Sequence, residues 1–297
     1  MPSGNTGIVF NREIYTVYTI YGKDYGTCMK KPSSLKFAVF VLALACAAPS
    51  YASPRMAFID SLMRNFRVEP CCATSLNQCA LQKPNCDIAI RLINFLMWMD
   101  STGQIPNERM AELLHNRYST FADTKTHTYN LAGWPVIGDR NAPVTVVMYF
   151  SGTCPMCKFA FRELNGELTA GKLKGKVKMV VKPAFGAIPV NRAIMLAHDM
   201  GRFTDYMLAL SRAEGRIDEE ILLSIADGLL FDRQAFKSRM EDPKLIERIE
   251  ASGKEAQING VTHVPSYFIS GRRYNSVMDI RWIIDAMEFM DQAQMKR

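Results

Sequence analysis

The sequence predicts an α/β domain with a helical insertion, preceded by a small helical domain that contains cysteines. Three observations lead to this prediction. An apolar, β-branched run over residues 144–150 leads directly into the pair Cys154 and Cys157, and a helical pattern follows. A second strand-like run at 176–182 is separated from the next strand by a long helical stretch. Four further cysteines cluster upstream, between two helical patterns.

Residues 29–52 have the pattern of a secretory signal peptide. Lys30 and Lys31 form the basic start, an apolar run of twelve residues follows, and a small-x-small cleavage site ends at Ala52. The segment is too short to span a bilayer comfortably. We therefore expect export, with the periplasm as the destination. The alternatives are a buried core helix and a lipid anchor at Cys46.

The signal pattern begins at Met29, so residues 1–28 are interpreted as an upstream extension from a mis-assigned start. Export to an oxidising compartment changes the interpretation of the cysteines, because disulfides persist there. Six of the eight cysteines lie beyond the signal, and an even number favours disulfides over free thiols. The net charge of +7 comes without a long cluster of lysines and arginines, which argues against nucleic acid as a partner.

Residues 53–122 are predicted to form the helical, cysteine-containing domain. Three stretches have helical periodicity, namely PRMAFIDSLMRNF, CDIAIRLINFLMWMD and PNERMAELLHNRYSTF. The second stretch ends before Gly103, which can serve as its C-cap, and the third begins near Pro106. The polar, turn-rich residues 123–142 are interpreted as a linker that becomes an edge element.

Residues 143–297 are predicted to form the α/β domain. After its first two strands, residues 190–258 are mostly helical and constitute the insertion. The segment SYFIS is a third strand, and a tight Gly271-Arg272 hairpin leads into a short fourth strand at 273–274. A final helix over about 277–293 presents isoleucine and methionine on one face.

The Cys-Pro-Met-Cys segment has the residues that thiol–disulfide exchange requires. A strand that leads into a helix places Cys154 beside unpaired backbone N–H groups, and these donors and the helix dipole favour its thiolate. Cys157, about one turn later, can attack the resulting mixed disulfide. Pro155 fits the first helical turn. The alternatives are a zinc site, which would need a second ligand pair nearby, and a purely structural disulfide.

The segments GDRNAPVTVVMYFSGTCPMCKFAFREL and GVTHVPSYFISGRRY, with the helical insertion between them, together resemble the DsbA family of bacterial periplasmic thiol-disulfide oxidoreductases. The resemblance covers about residues 134–293 and implies a thioredoxin-like fold. It also implies that Pro265, after Val264, is a cis proline that faces the cysteines, where an extended substrate peptide can pair. The alternative is an ordinary turn proline. Pro155 and Met156 complete this part of the predicted substrate-binding set.

Two departures from the family pattern bear on the chemistry. DsbA itself has a His between its cysteines, which stabilises the thiolate, whereas Pro155 and Met156 stand here. Many relatives carry a buried Glu in the preceding strand, at the position of Met148. We hypothesise that His263, two residues before Pro265, reaches the cysteine pair, binds near the substrate and partly replaces the missing imidazole. An exposed loop histidine is the alternative.

Cys71, Cys72, Cys79 and Cys86 are expected to form two structural disulfides. An adjacent Cys71–Cys72 bond would be strained, so the favoured pairings join each of these two to Cys79 or Cys86. The alternative is a second redox pair that exchanges electrons with the Cys-Pro-Met-Cys centre. The region also weakly resembles the CcmH-type thiol proteins of cytochrome c maturation, which have a short helical domain with a similar Arg-Tyr-x-x-Phe end.

The sequence therefore predicts an exported thiol-disulfide oxidoreductase that needs no organic cofactor and no metal, because the electrons reside in the sulfurs. Its partners would be unfolded or cysteine-containing exported proteins and a membrane redox protein that resets the pair. The alternatives are a dedicated reductase or isomerase, for example in cytochrome c maturation, and a non-catalytic peptide-binding chaperone on the same fold. The direction of electron flow and the oligomeric state, with a homodimer as one option, stay open.

Overall fold

The computed structural model describes residues 53–69 and 71–295. The predicted signal peptide and upstream extension lie outside the described residues. The helices are α1 (Pro54–Asn65), α2 (Leu76–Gln82), α3 (Asp87–Thr102), α4 (Asn107–Ala122), α5 (Pro155–Thr169), α6 (Pro189–Asp199), α7 (Phe203–Arg212), α8 (Glu219–Gly228), α9 (Arg233–Arg239), α10 (Pro243–Ile258) and α11 (Ile280–Met295). The strands are β1 (Val136–Gly138), β2 (Val144–Phe150), β3 (Val177–Pro183), β4 (Ser266–Ile269) and β5 (Arg272–Arg273). None of the helices in this part of the chain has the length and apolar character that crossing a membrane requires.

The five strands form one mixed sheet in the order β1-β3-β2-β4-β5. β2 and β3 are parallel, from Val144 opposite Val177 to Phe150 opposite Pro183. The other three pairs are antiparallel. The central strand β2 is buried along most of its length because helices cover both faces of the sheet. This burial explains its continuous apolar sequence, which predicted the strand.

The two faces of the sheet carry different helices. α5 and α11 pack on the face that contains Met148, and α10 packs on the opposite face. On that opposite face, Tyr149 and Phe268 belong to a smaller apolar cluster. Lys182 lies beside this cluster, almost fully buried, and donates to Glu255, which also accepts the hydroxyl of Tyr149. Burial lowers the pKa of Lys182, although Glu255 acts in the opposite direction.

The insertion between β3 and β4 consists of five helices, α6 to α10. Three of them begin at an aspartate whose side chain accepts a backbone N–H of the first turn, namely Asp218, Asp232 and Asp242. The ring of Phe203 in α7 packs edge-on against Phe161 in α5, with centroids 5.6 Å apart. The insertion therefore covers the helix that follows the cysteine pair.

The N-terminal helices pack against the C-terminal helix α11. Arg117, which is fully buried, and Arg91 both donate to the carboxylate of Asp285. The guanidinium of Arg117 also lies 4.6 Å from the ring centroid of Phe121 and 5.2 Å from that of Trp282. Burial lowers the pKa of Arg117, and Asp285 opposes this shift. These contacts place the N-terminal helices and the sheet in one hydrophobic core, and the predicted division into two domains stays a prediction.

One local prediction requires correction, and one short helix was not predicted. The hairpin turn consists of Ser270 and Gly271, which both have positive φ (49° and 85°), so Arg272 belongs to β5 and not to the turn. Two consecutive positive φ angles are typical of the tight turns whose twist matches a hairpin. The short helix α2, which carries Cys79, was not predicted, because seven residues are too few to show a helical period.

Candidate active site

The Cys-Pro-Met-Cys segment lies where β2 ends and α5 begins. Cys154 is the N-cap of α5, with extended backbone at φ −82° and ψ 115°. Its Sγ accepts the backbone N–H of Cys157 at 3.2 Å. Pro155 is exposed in the first helical turn, where its missing N–H leaves no helix bond unmade. The sulfur of Cys154 therefore lies at a helix N-terminus, which stabilises negative charge.

The two cysteines of this segment differ in access to solvent. Both are free thiols, but Cys154 is half-buried and Cys157 is fully buried. Burial raises the pKa of Cys157 far above its ordinary value, and the hydrogen bond with Cys154 raises it further, while a backbone hydrogen bond from Ser151 acts in the opposite direction. Cys157 is therefore a neutral thiol at physiological pH, and Cys154 is the more exposed cysteine of the two.

The loop before β4 lies against Cys154. The Val264–Pro265 peptide bond is cis, as the family resemblance implies. The thiol of Cys154 donates to the carbonyl oxygen of Val264, with a sulfur–oxygen distance of 3.6 Å. His263 is exposed, and its Nδ1 lies 3.3 Å from the hydroxyl oxygen of Thr262. The hypothesis that the imidazole reaches the sulfurs stays a prediction.

Tyr267 of β4 lies in the core close to the two cysteines. It was not identified from the sequence. In the register of β2 and β4 it is paired with Met148, and both side chains are fully buried. The Tyr267 hydroxyl has no hydrogen-bond partner among the described residues. Burial raises the pKa of Tyr267, and Cys157 raises it further. The position where many relatives carry a Glu is therefore apolar here, with a neutral phenol close to the thiols.

Asn191 of α6 supports the loop that precedes Cys154. It is fully buried; its Oδ1 accepts the N–H of Gly152 at 2.9 Å, and its Nδ2 donates to the carbonyl of Gly186 at 3.0 Å. A Cβ atom on Gly152 would lie only 2.5 Å from Val190. The sequence offered no signal for this role, because an asparagine within a helical pattern does not show which loop it will meet.

The surface beside Cys154 is apolar. Met156 is 47% exposed, and Phe159, one turn later on α5, is 42% exposed. Together these two side chains form a small apolar surface beside the cysteine pair. Met156 was predicted to contact substrate, whereas Phe159 was not identified from the sequence.

The four N-terminal cysteines form the disulfides Cys71–Cys86 and Cys72–Cys79. These pairings are of the kind that the sequence favours. The four Sγ atoms lie within 4.8 Å of one another, close enough to hold a metal ion. No other such group of ligands occurs among the described residues. In the disulfide form no sulfur is free to bind a metal ion.

A family model described as thioredoxin matches residues 131–286. The match covers more than half of the chain and contains Cys154, Cys157 and Pro265. The chain belongs to the thioredoxin family. The predicted thioredoxin-like fold is thus confirmed, together with a helical insertion between β3 and β4 that lies inside the matched residues.

Similarity to individual proteins is more distant. The chain is 29% identical over 148 residues to the Na(+)/H(+) antiporter NhaA 1 of Salinispora arenicola, which is 49% of this chain and 23% of that protein. The match therefore spans about a quarter of the curated relative's length. The oxidised crystal structure of BdbD from Bacillus subtilis has a TM-score of 0.50 and 18% identity, covering 57% of this chain and 99% of BdbD; this likeness shows the fold. A thioredoxin-like oxidoreductase from Silicibacter pomeroyi DSS-3 has a TM-score of 0.48 and 27% identity, covering 55% of this chain and 94% of that one.

Proposed function

We propose that this protein is an exported thiol–disulfide oxidoreductase that exchanges disulfides with cysteine-containing exported proteins through Cys154 and Cys157. One observation carries the proposal. The half-exposed Cys154 sulfur lies between the N–H of Cys157 and the carbonyl oxygen of Val264, at the start of α5. Membership of the thioredoxin family supports the same chemistry.

In the oxidising direction, the pair starts as a Cys154–Cys157 disulfide. A substrate thiolate attacks the Cys154 sulfur, a mixed disulfide forms, and Cys157 leaves and takes up a proton, which its raised pKa favours. A second substrate thiolate then attacks the mixed disulfide, and Cys154 leaves as a thiolate held by the N–H of Cys157. The substrate loses two electrons and gains a disulfide, while the cysteine pair gains both electrons. The reducing direction reverses these steps.

The substrate would lie along the loop at Val264 and Pro265, where an extended chain brings its sulfur close to Cys154. The exposed side chains of Met156 and Phe159 would contact apolar residues of an unfolded chain. A membrane redox protein would then reset the pair. Export is supported by the signal pattern of residues 29–52.

Insulin reduction with dithiothreitol tests the proposal. We expect Cys154→Ala to reduce the rate to that of dithiothreitol alone. Cys157→Ala keeps the attacking sulfur but cannot resolve the intermediate, so it should accumulate a mixed disulfide with a cysteine-containing peptide, detectable by mass. If Cys154→Ala retains the parent rate, the Cys154–Cys157 pair does not carry the reaction and the proposal fails.

A dedicated reductase, for example in cytochrome c maturation, is the second candidate, and it is favoured by the absence of an imidazole between the cysteines. The reduction potential of the Cys154–Cys157 pair separates the two candidates. A value between about −120 and −180 mV indicates a disulfide donor, whereas about −250 mV or lower indicates a protein that delivers electrons. The measurement is a glutathione titration with the four N-terminal cysteines blocked.

A further inference from the structure

A second group of sulfur atoms lies in the N-terminal helices, and we call Cys71, Cys72, Cys79 and Cys86 the four-sulfur cluster. Its two disulfides are in close proximity, because all four Sγ atoms lie within 4.8 Å of one another. A thiolate released from one disulfide is therefore already beside the other one. This proximity is what intramolecular disulfide exchange requires.

Cys86 has the same local structure as the attacking cysteine of the active site. It is the N-cap of the 16-residue helix α3, and its Sγ accepts the N–H of Ala89 at 3.4 Å. Cys154 is likewise an N-cap, whose Sγ accepts the N–H of the residue three positions later. A helix N-terminus stabilises a thiolate through these donors and the helix dipole. These two effects favour Cys86 as the leaving group when its disulfide is attacked, while the carboxylate of the next residue, Asp87, opposes them.

Each disulfide joins a partly exposed cysteine to a buried one. Cys71 and Cys72 are half-buried, whereas Cys79 and Cys86 are 0% and 4% exposed. An incoming thiolate can therefore approach Cys71 and displace the buried Cys86.

The charge beside Cys71 favours this approach. The ammonium of Lys83 donates to the carbonyl oxygen of Cys71 at 2.8 Å. Arg67 donates to the carbonyl oxygen of Ala73 in the same loop at 2.8 Å, and Glu69 partly neutralises it at 3.2 Å. Arg67 and Glu69 offset each other, and Asp87 lies beside Cys86 rather than Cys71 in sequence. The Lys83 ammonium is thus the cation on the Cys71 backbone, where it attracts an anionic thiolate.

We propose that the four-sulfur cluster is a second thiol–disulfide exchange centre that accepts electrons from a dithiol. The first dithiol sulfur, as a thiolate, attacks Cys71; the Cys71–Cys86 bond breaks, a mixed disulfide with Cys71 forms, and Cys86 leaves as a thiolate. The second dithiol sulfur attacks the mixed disulfide and releases Cys71. The dithiol is oxidised to a disulfide, and its two electrons reside on Cys71 and Cys86.

The neighbouring disulfide then joins the reaction. The Cys86 thiolate attacks the Cys72–Cys79 bond, forms a new disulfide with one of its sulfurs, and releases the other as a thiolate. No further electrons are needed, because one disulfide replaces another. The two electrons are therefore distributed over the cluster, which a purely structural staple would not allow.

The test uses the full chain with Cys154→Ala and Cys157→Ala, so the result is independent of the proposed function. The protein is treated with limiting dithiothreitol, quenched with acid and alkylated, and the species with two free thiols is mapped by mass spectrometry. We expect free Cys71 together with Cys72 or Cys79, alongside the original pair of Cys71 and Cys86. Thiols confined to the original disulfide pairs, or reduction only in denaturant, would overturn the proposal.

A charge variant tests the point of attack without altering any sulfur. Lys83→Gln should slow reduction by dithiothreitol about two- to five-fold, because it removes the cation beside Cys71, and should leave the distribution of thiols unchanged. Lys125→Gln, an exposed lysine in the segment after α4, is the matched control and should have no effect. Equal rates for the two variants contradict attack at Cys71. Circular dichroism before and after reduction establishes that both variants are folded.

Discussion

Cys154 and Cys157 are the same amino acid three positions apart, and their surroundings give them different chemistry. Cys154 is half-buried at the start of a helix, where a backbone N–H contacts its sulfur. Cys157 points into the core and is fully buried, which keeps it protonated. The proposed division into an attacking and a resolving sulfur therefore depends on burial and hydrogen bonding more than on the Cys-x-x-Cys spacing itself.

The raised pKa of Cys157 predicts how stability depends on pH. The chain with Cys154→Ala keeps Cys157 as a free thiol and leaves the N-terminal disulfides intact. Burial, the largest cause of the raised pKa, remains in this variant although the hydrogen bond with Cys154 is lost. The unfolded chain therefore loses this proton at lower pH than the folded chain does. Stability should therefore be fully present below about pH 8.5 and fall as pH rises further.

The control for this prediction is the double variant Cys154→Ala/Cys157→Ala, which shares every other titrating group. Between pH 8 and pH 10, the single variant should lose about 1–2 kcal/mol more unfolding free energy than the double variant does, as measured with urea. Parallel pH curves for the two variants would mean that Cys157 is not shielded from water.

Helix α6 of the insertion holds the loop between β2 and α5 in position. The Asn191 amide of α6 holds Gly152 in place, and Val190 leaves no room for a side chain there. Because Gly152 is two residues before Cys154, the position of the Cys154 sulfur depends on how α6 packs.

Gly152→Ala should therefore destabilise the chain by about 1–3 kcal/mol through overpacking and should also slow insulin reduction. Gly166→Ala is the matched control, because this helical glycine of α5 has open space at its Cβ position and alanine there should stabilise by about 0.5–1 kcal/mol. Urea unfolding and the activity assay measure both effects. Equal stability of the two variants would show that α6 moves aside without cost.

Helices and strands that are determined by the pattern of their own residues were predicted well. The β-branched run of β2 and the start of α5 at the cysteine pair are local properties of the sequence. In contrast, the bond from Asn191 to Gly152 and the pairing of Tyr267 with Met148 join residues that are 39 and 119 positions apart, and no local pattern predicts them. The hairpin turn was predicted one residue too late in the chain. Ser270 adopts a positive φ, which its residue type does not predict.

At the scale of the whole molecule, α11 joins the N-terminal helices to the sheet. Asp285 accepts from the fully buried Arg117 and from Arg91, and it is itself about a quarter exposed. Removing one member of such a group leaves a buried charge without its partner, which costs far more than losing a surface ion pair. The N-terminal helices should therefore depend on this single carboxylate.

We expect Asp285→Asn to lower the unfolding free energy by about 3–5 kcal/mol. Glu288→Gln, one turn further along α11, makes the same charge change and should cost about 0–1 kcal/mol. Thermal unfolding compares the two, and hydrogen exchange in α3 and α4 should increase for Asp285→Asn alone. The prediction fails if both variants melt at the same temperature.

The contact between Asp285 and the two arginines also determines when this protein can finish folding. Arg91 and Arg117 lie 194 and 168 positions before their common partner. During synthesis, therefore, the N-terminal helices are made well before the carboxylate that neutralises their buried guanidinium. The entropy of closing such a long loop must be lost before this contact forms. The N-terminal helices therefore complete their packing only after α11 has been made, and a chain that lacks α11 exposes an unpaired charge and an open apolar face.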